Sequence, residues 1–88
     1  MGKKSVYRPE NKVLTTLLRK IRKEADLDQS ELAELLDRPQ SYVSSVERGQ
    51  RRLDLVQLRD HCMHCGLDLS AFVGRFEEAI VEANQPLP

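Results

Sequence analysis

Apolar residues recur at helical spacing along most of this chain. Val13, Leu14, Leu17, Leu18, Ile21 and Ala25 lie three or four positions apart or adjacent, which predicts one apolar stripe on a helix from about Pro9 to Ala25. Leu32, Ala33 and Leu36 share one side of a short second helix, and Asp28 followed by Glu31 three residues later forms a capping-box start for it. Val43 and Val46 mark the buried side of a third helix, from about Pro39 to Arg48, with Gly49 as its stop. Arg51 to Asp54 connects to a fourth helix over about Leu55 to Cys65, ended by Gly66. Leu69, Phe72, Val73, Phe76, Ile80 and Ala83 predict a fifth. No alternating run is long enough for a strand, so the expected fold is all-α. Residues 9–83 are expected to form its single domain, with residues 1–8, which have no apolar period, expected as a flexible basic arm and residues 84–88, with two prolines, as a disordered tail.

Helix three carries an unusual outer face. Opposite Val43 and Val46 project Ser41, Ser44, Ser45 and Arg48. Serine is a middling helix former whose hydroxyl competes for backbone hydrogen bonds, so a purely structural helix gains little from three of them. A helix that enters a groove lined with donors and acceptors gains partners for each hydroxyl.

The segment from Gln29 to Gly49 also carries a recognisable set of positions: Gln29 opening the second helix, Leu32 with Ala33, Gln40 with Ser41, Val43 with Ser44, and Glu47-Arg48-Gly49. In these the chain resembles the lambda-repressor-like helix-turn-helix regulators, the Cro/CI or xenobiotic-response-element (XRE) group, over roughly Leu14 to Leu69. Two positions depart from the common pattern: Asp37 stands where glycine is usual, and Arg38 where an apolar residue is usual. Asp tolerates the left-handed backbone a corner needs, and Pro39 suits the first turn of the following helix.

The resemblance implies a five-helix DNA-binding domain with its helix-turn-helix at helices two and three, the third entering the major groove N-terminus first. Gln40, at that leading end, has the donor and acceptor that pair bidentately with adenine, worth ~1–3 kcal/mol of discrimination. Ser41, Ser44 and Ser45 complete the expected base contacts, although a hydroxyl that both donates and accepts discriminates bases weakly. Phosphate contacts are expected from Gln29 at the start of helix two, from Arg48, Arg51 and Arg52, and from Tyr42 at the flank. For Tyr42, packing against helix two is an equal alternative, and for Arg52, an ion pair with Asp54. The family pattern also implies a structural salt bridge from Arg22 to Glu47. A single motif reads only a short half-site, so a homodimer on an inverted repeat is implied. Phe72, Phe76 and Ile80 are either its interface or the closing layer of the monomer core.

Charge sharpens this reading. The formal net charge of the 88 residues is zero, which by itself offers nothing to phosphate. Its distribution does: residues 1–23 carry net +7, residues 24–37 net −6, residues 38–59 net +3 and residues 60–88 net −4. The basic blocks flank helix three. Lys3 and Lys4 in the arm either add unspecific attraction or remain in solvent.

Other classes find less support. His61-Cys62-Met63-His64-Cys65 offers four potential zinc ligands, but helical geometry puts His61, Cys62 and Cys65 on the packing face with Leu58 and turns His64 away. No metal or cofactor is expected. No phosphate-binding glycine loop or nucleophile constellation is present, so no enzyme is predicted. No apolar stretch could cross a bilayer and no signal peptide is visible, so a cytoplasmic protein without membrane contact is expected. The functional expectation is a sequence-specific transcriptional repressor acting on double-stranded DNA. The alternative is a module, such as an antitoxin, that keeps the fold but binds a protein partner.

Overall fold

The computed structural model describes residues 8–84, so the expectations for the arm, including Lys3 and Lys4, and for the tail fall largely outside the described residues. Five helices follow one another: α1 (Pro9–Glu24), α2 (Gln29–Leu35), α3 (Gln40–Glu47), α4 (Leu55–His64) and α5 (Leu69–Asn84). There is no strand among the described residues.

Local chemistry accounts for the boundaries. Asp28 accepts the Glu31 amide at 2.8 Å while the Glu31 carboxylate accepts the Asp28 amide at 2.9 Å. Asp54 and Gln57 close an equivalent capping box on α4, at 2.8 and 2.9 Å. Asp68 accepts the Ala71 amide at the start of α5. Pro39 occupies the N-cap of α3 rather than its first turn, with φ −69° and ψ 156°. The cap demands extended backbone and proline's fixed φ satisfies it equally well.

The first four helices end in the same way. Two amides beyond each helix fold back on its last turn, as in Leu27 to Arg22 and Asp26 to Lys23 after α1, and Arg38 to Ala33 and Asp37 to Glu34 after α2. Each such closure needs one residue in the left-handed region. Gly49 and Gly66 supply it after α3 and α4, both with φ +78°. After α1 and α2 the residue is Asp26 (φ 60°) and Asp37 (φ 59°). The corner at Asp37 is what sets α3 across α2.

The core gathers Leu17, Leu18 and Ile21 of α1, Leu32 and Ala33 of α2, and Val43 and Val46 of α3, with Cys62 and Phe72 closing it from α4 and α5. Phe72 is 1% exposed. It therefore serves the monomer interior and drops out of the expected dimer interface, whereas Phe76 and Ile80 stay half-buried. On α4, His61 and Cys62 point inward, Cys65 is half-buried and His64 is exposed, so the four candidate ligands diverge. Burial pushes both thiols up to about 11.

Among the described residues, the ion pair of Arg22 with Glu47 lies inside. Arg22 donates to both oxygens of Glu47, from Nε at 2.7 Å and Nη2 at 3.0 Å, and its Nη1 donates to the Leu27 carbonyl at 2.8 Å. The two side chains are 9% and 2% exposed. Burial alone would raise the Glu47 carboxyl, but hydrogen bonds from Arg22 and Gln29, with the nearby charges of Arg22 and Arg19, outweigh it and hold the group below the usual range. Behind α3 lies a second buried polar group. The His61 ring is 2% exposed and neither nitrogen has a hydrogen-bond partner. Burial lowers its pKa below 6.5, against weaker opposition from the Gln57 carbonyl and the charges of Glu47 and Asp60.

Two predictions follow from these groups. Glu47→Ala strands the buried Arg22 cation, and equilibrium urea unfolding should show a loss of about 3–5 kcal/mol, a large share of a small domain's stability; an unchanged midpoint would remove the pair from any structural role. For His61, whose folded pKa lies below its unfolded value, the stabilising contribution is complete above about pH 6.5 and is lost as pH falls through the folded value. Stability should therefore decline as pH falls below about 6.5, and His61→Phe should flatten that decline. An identical slope in the variant would assign the acid sensitivity elsewhere.

Candidate nucleic-acid interface

The buried pair reaches the surface through two glutamines. Glu47 Oε1 accepts from Gln29 Nε2 at 3.0 Å, and Gln29 Oε1 accepts from Gln40 Nε2 at 2.7 Å. A relay of four side chains thus runs from Arg22 in α1, through Glu47 near the end of α3 and Gln29 at the start of α2, to Gln40 at the start of α3. Each link fixes the next: the ionised carboxylate makes Gln29 present its amide nitrogen inward, so its oxygen faces Gln40. The Gln40 amide oxygen is left to face outward from an exposed residue. Arg19 stands beside the relay, its Nε 3.7 Å from Glu47 Oε1.

Along α3, Ser41 is exposed and Ser44 and Ser45 are half-exposed. Ser44 accepts a hydrogen bond from Arg48 Nη1 at 2.6 Å, and Arg48 Nη2 donates to Gln50 at 3.2 Å. That arrangement lays the Arg48 guanidinium along the helix surface. Arg51 and Arg52 are both exposed beyond the Gly49 turn. Asp54 is committed to capping α4, and no Arg52–Asp54 ion pair forms among the described residues. Gln40, Gln29 and the serines are therefore gathered on one surface with Arg48, and Arg51 and Arg52 follow at its C-terminal edge.

Tyr42 sits differently from the flank position expected of it. Its ring is 8% exposed and belongs to the core, tilted 44° against the His61 ring at a centroid distance of 6.0 Å. The physical reason is helical phase: Tyr42 precedes Val43 and lies four residues before Val46, so it shares the inward side. Arg38 was not among the expected contacts, yet its Cζ lies 4.7 Å from the Tyr42 ring centroid, and that of Arg51 lies 5.0 Å away. The departure from the family pattern at Arg38 was the available sign. Its position before α3, outside any helical periodicity, hid its neighbour.

Acidic residues bound the surface on the α2 side. A groove there is lined by Asp28, Glu31, Glu34 and Asp37 together with Arg38, Pro39 and Gln40. No helix among the described residues is long and apolar enough to cross a membrane.

This geometry has counterparts among known proteins. A family model described as a helix-turn-helix domain matches residues 13–72. The control protein C.MunI of a Mycoplasma species is 37% identical over 62 residues, spanning 69% of this chain and 84% of that protein. An XRE-family like protein from Pseudomonas syringae pv. tomato str. DC3000 superposes with a TM-score of 0.77 at 36% identity, covering 88% of this chain and 94% of the other. The restriction-modification controller protein C.Esp1396I shares the fold, with a TM-score of 0.76 at 22% identity over 84% of this chain and 97% of its own. With the helix-turn-helix geometry and these matches together, the chain belongs to the XRE-like helix-turn-helix family of DNA-binding transcription regulators.

Proposed function

We propose that the protein is a sequence-specific repressor that binds an inverted-repeat operator as a homodimer, placing α3 in the major groove and blocking polymerase by occupancy. The observation that carries this reading is the relay ending at Gln40. A base-reading amide is most discriminating when its orientation is fixed before binding, and here a buried ion pair fixes it through Gln29. Gln40 reads adenine, with Ser41, Ser44 and Ser45 adding short-range contacts. Gln29, Arg48, Arg51 and Arg52 take phosphate oxygens, so affinity comes from them and preference from Gln40. Similarity to a protein named as a control protein supports a regulator.

The dimer reading rests on α5. With Phe72 sealed inside, the outward stripe is Val73, Phe76, Ile80 and Val81, of which Val73 is 43% and Val81 58% exposed. Apolar side chains at that spacing on one helix suit an isologous contact with the same helix of a second copy.

Selection of bound duplexes from a random pool should return an inverted repeat, with half-site centres ~10 bp apart if both subunits dock on one side. Against that sequence Gln40→Ala should lose ~1–3 kcal/mol of discrimination at one adenine while still binding unrelated duplex. Recovery of no preferred sequence by the wild-type protein would refute the reading and leave a protein-binding module in its place. Sedimentation of Val73→Asp should give a folded monomer, since Val73 contributes little to the core. A variant that still sediments as a dimer would move the interface off α5.

A further inference from the structure

We infer that Arg38, Tyr42 and Arg51 form a phosphodiester-binding site in which the buried tyrosine ring holds two arginines against one DNA strand. This rests on the DNA-binding reading above and adds to it a contact residue, Arg38, and a positioning role for Tyr42. Arg38 leaves the corner before α3 and Arg51 follows the turn after it, so the two are thirteen positions apart in the chain. Their guanidinium carbons nevertheless stand 4.7 and 5.0 Å from one ring centroid. The cations therefore lie no more than roughly 10 Å apart, close enough for the two to reach neighbouring phosphates of one strand.

Three features make this a site rather than a pair of surface charges. Both arginines are exposed, and among the described residues neither pairs with a carboxylate, although Arg8, Arg19, Arg22 and Arg75 all do. The ring beneath them is fixed by the core: it is 8% exposed and packs near His61 of α4, so it cannot swing away with its cations. The electrostatic border also falls at this point. Arg38 and Gln40 line one groove together with Asp28, Glu31, Glu34 and Asp37, so Arg38 is the base at an otherwise acidic edge and a phosphate reaching it along α2 meets like charge.

Stacking on an aromatic face suits a guanidinium because its plane is weakly hydrated while its edge N–H groups remain free to fork onto phosphate oxygens. Tyr42 thus restricts two flexible side chains before DNA arrives, reducing the ordering cost of the contact. Lysine at position 38 would keep the charge but lose the planar stack.

Fluorescence anisotropy on the selected duplex and on an unrelated one, over a range of salt, tests the proposal with circular dichroism as a folding control. Arg38→Gln should weaken binding about five- to tenfold at 0.1 M salt on both duplexes and reduce the slope of log affinity against log salt by about 0.9. Arg38→Lys should recover only part of the loss. Tyr42→Phe should retain the Arg38 contribution to the slope, whereas in a Tyr42→Leu background Arg38→Gln should cost less than in wild type. If the wild type binds duplex but Arg38→Gln leaves the slope unchanged, or acts on one duplex only, the phosphate site is overturned while the DNA reading stands. Equal penalties for Arg38→Gln with and without the ring overturn the positioning role of Tyr42. Failure of the wild type to bind either duplex overturns the DNA reading itself.

Discussion

A carboxylate inside a small domain must be answered by charge and hydrogen bonds, and Glu47 is answered by Arg22, by Gln29 and more distantly by Arg19. Buried ion pairs contribute little net stability over a well-packed apolar substitute, because desolvation consumes most of the attraction. What such a pair supplies is direction. Arg22 fastens α1 to α3 with a planar two-point contact, and the remaining capacity of the same carboxylate aligns Gln29 of α2. Three helices are thereby indexed to one atom group, and the exposed amide of Gln40 inherits its orientation from it.

The corner between α2 and α3 depends on a different device. Asp37 takes the left-handed conformation that ends α2, and the Arg38 amide bonds back to Ala33. The small side chain of Ala33, 2% exposed, lets the two helices approach closely at that point. Proline then fixes the extended N-cap from which α3 departs, and a residue before proline is itself steered away from helical backbone. Arg38 is consequently aimed outward by the turn rather than carried on a helix face. That is why it reaches the ring of Tyr42 and not a neighbour in sequence.

A neutral chain binds polyanions only if its charge is sorted. The sorting here follows the helices: the second carries acids without bases, and the segment from Arg38 to Arg59 carries five arginines against two acids. Since unpaired surface charges act over about a Debye length, ~8 Å at physiological salt, the local balance around α3 governs the encounter and the zero sum does not.

Much of this was legible in the residues themselves. Helical spacing of apolar positions predicted all five helices, and the capping pair Asp28 and Glu31 and the stops at Gly49 and Gly66 placed boundaries, because these are local effects acting within one turn. The serine-rich face opposite Val43 and Val46, together with the motif from Gln29 to Gly49, marked out the helix-turn-helix and the helix proposed to meet DNA. Depth and distance were not legible. Phe72 and Phe76 belong to one stripe, yet only the packing of α1 and α4 against α5 seals the first and leaves the second half-buried. Tyr42, expected at the flank, shares the inward side with Val43 and Val46, but its neighbour there, His61 of α4, comes from a distant part of the chain. The bonds from Glu47 to Gln29 and from Gln29 to Gln40, and the meeting of Arg38 with Arg51, join residues from separate turns of the chain. A one-dimensional pattern records which face a side chain prefers; the long-range partners it finds there are fixed only when the helices pack.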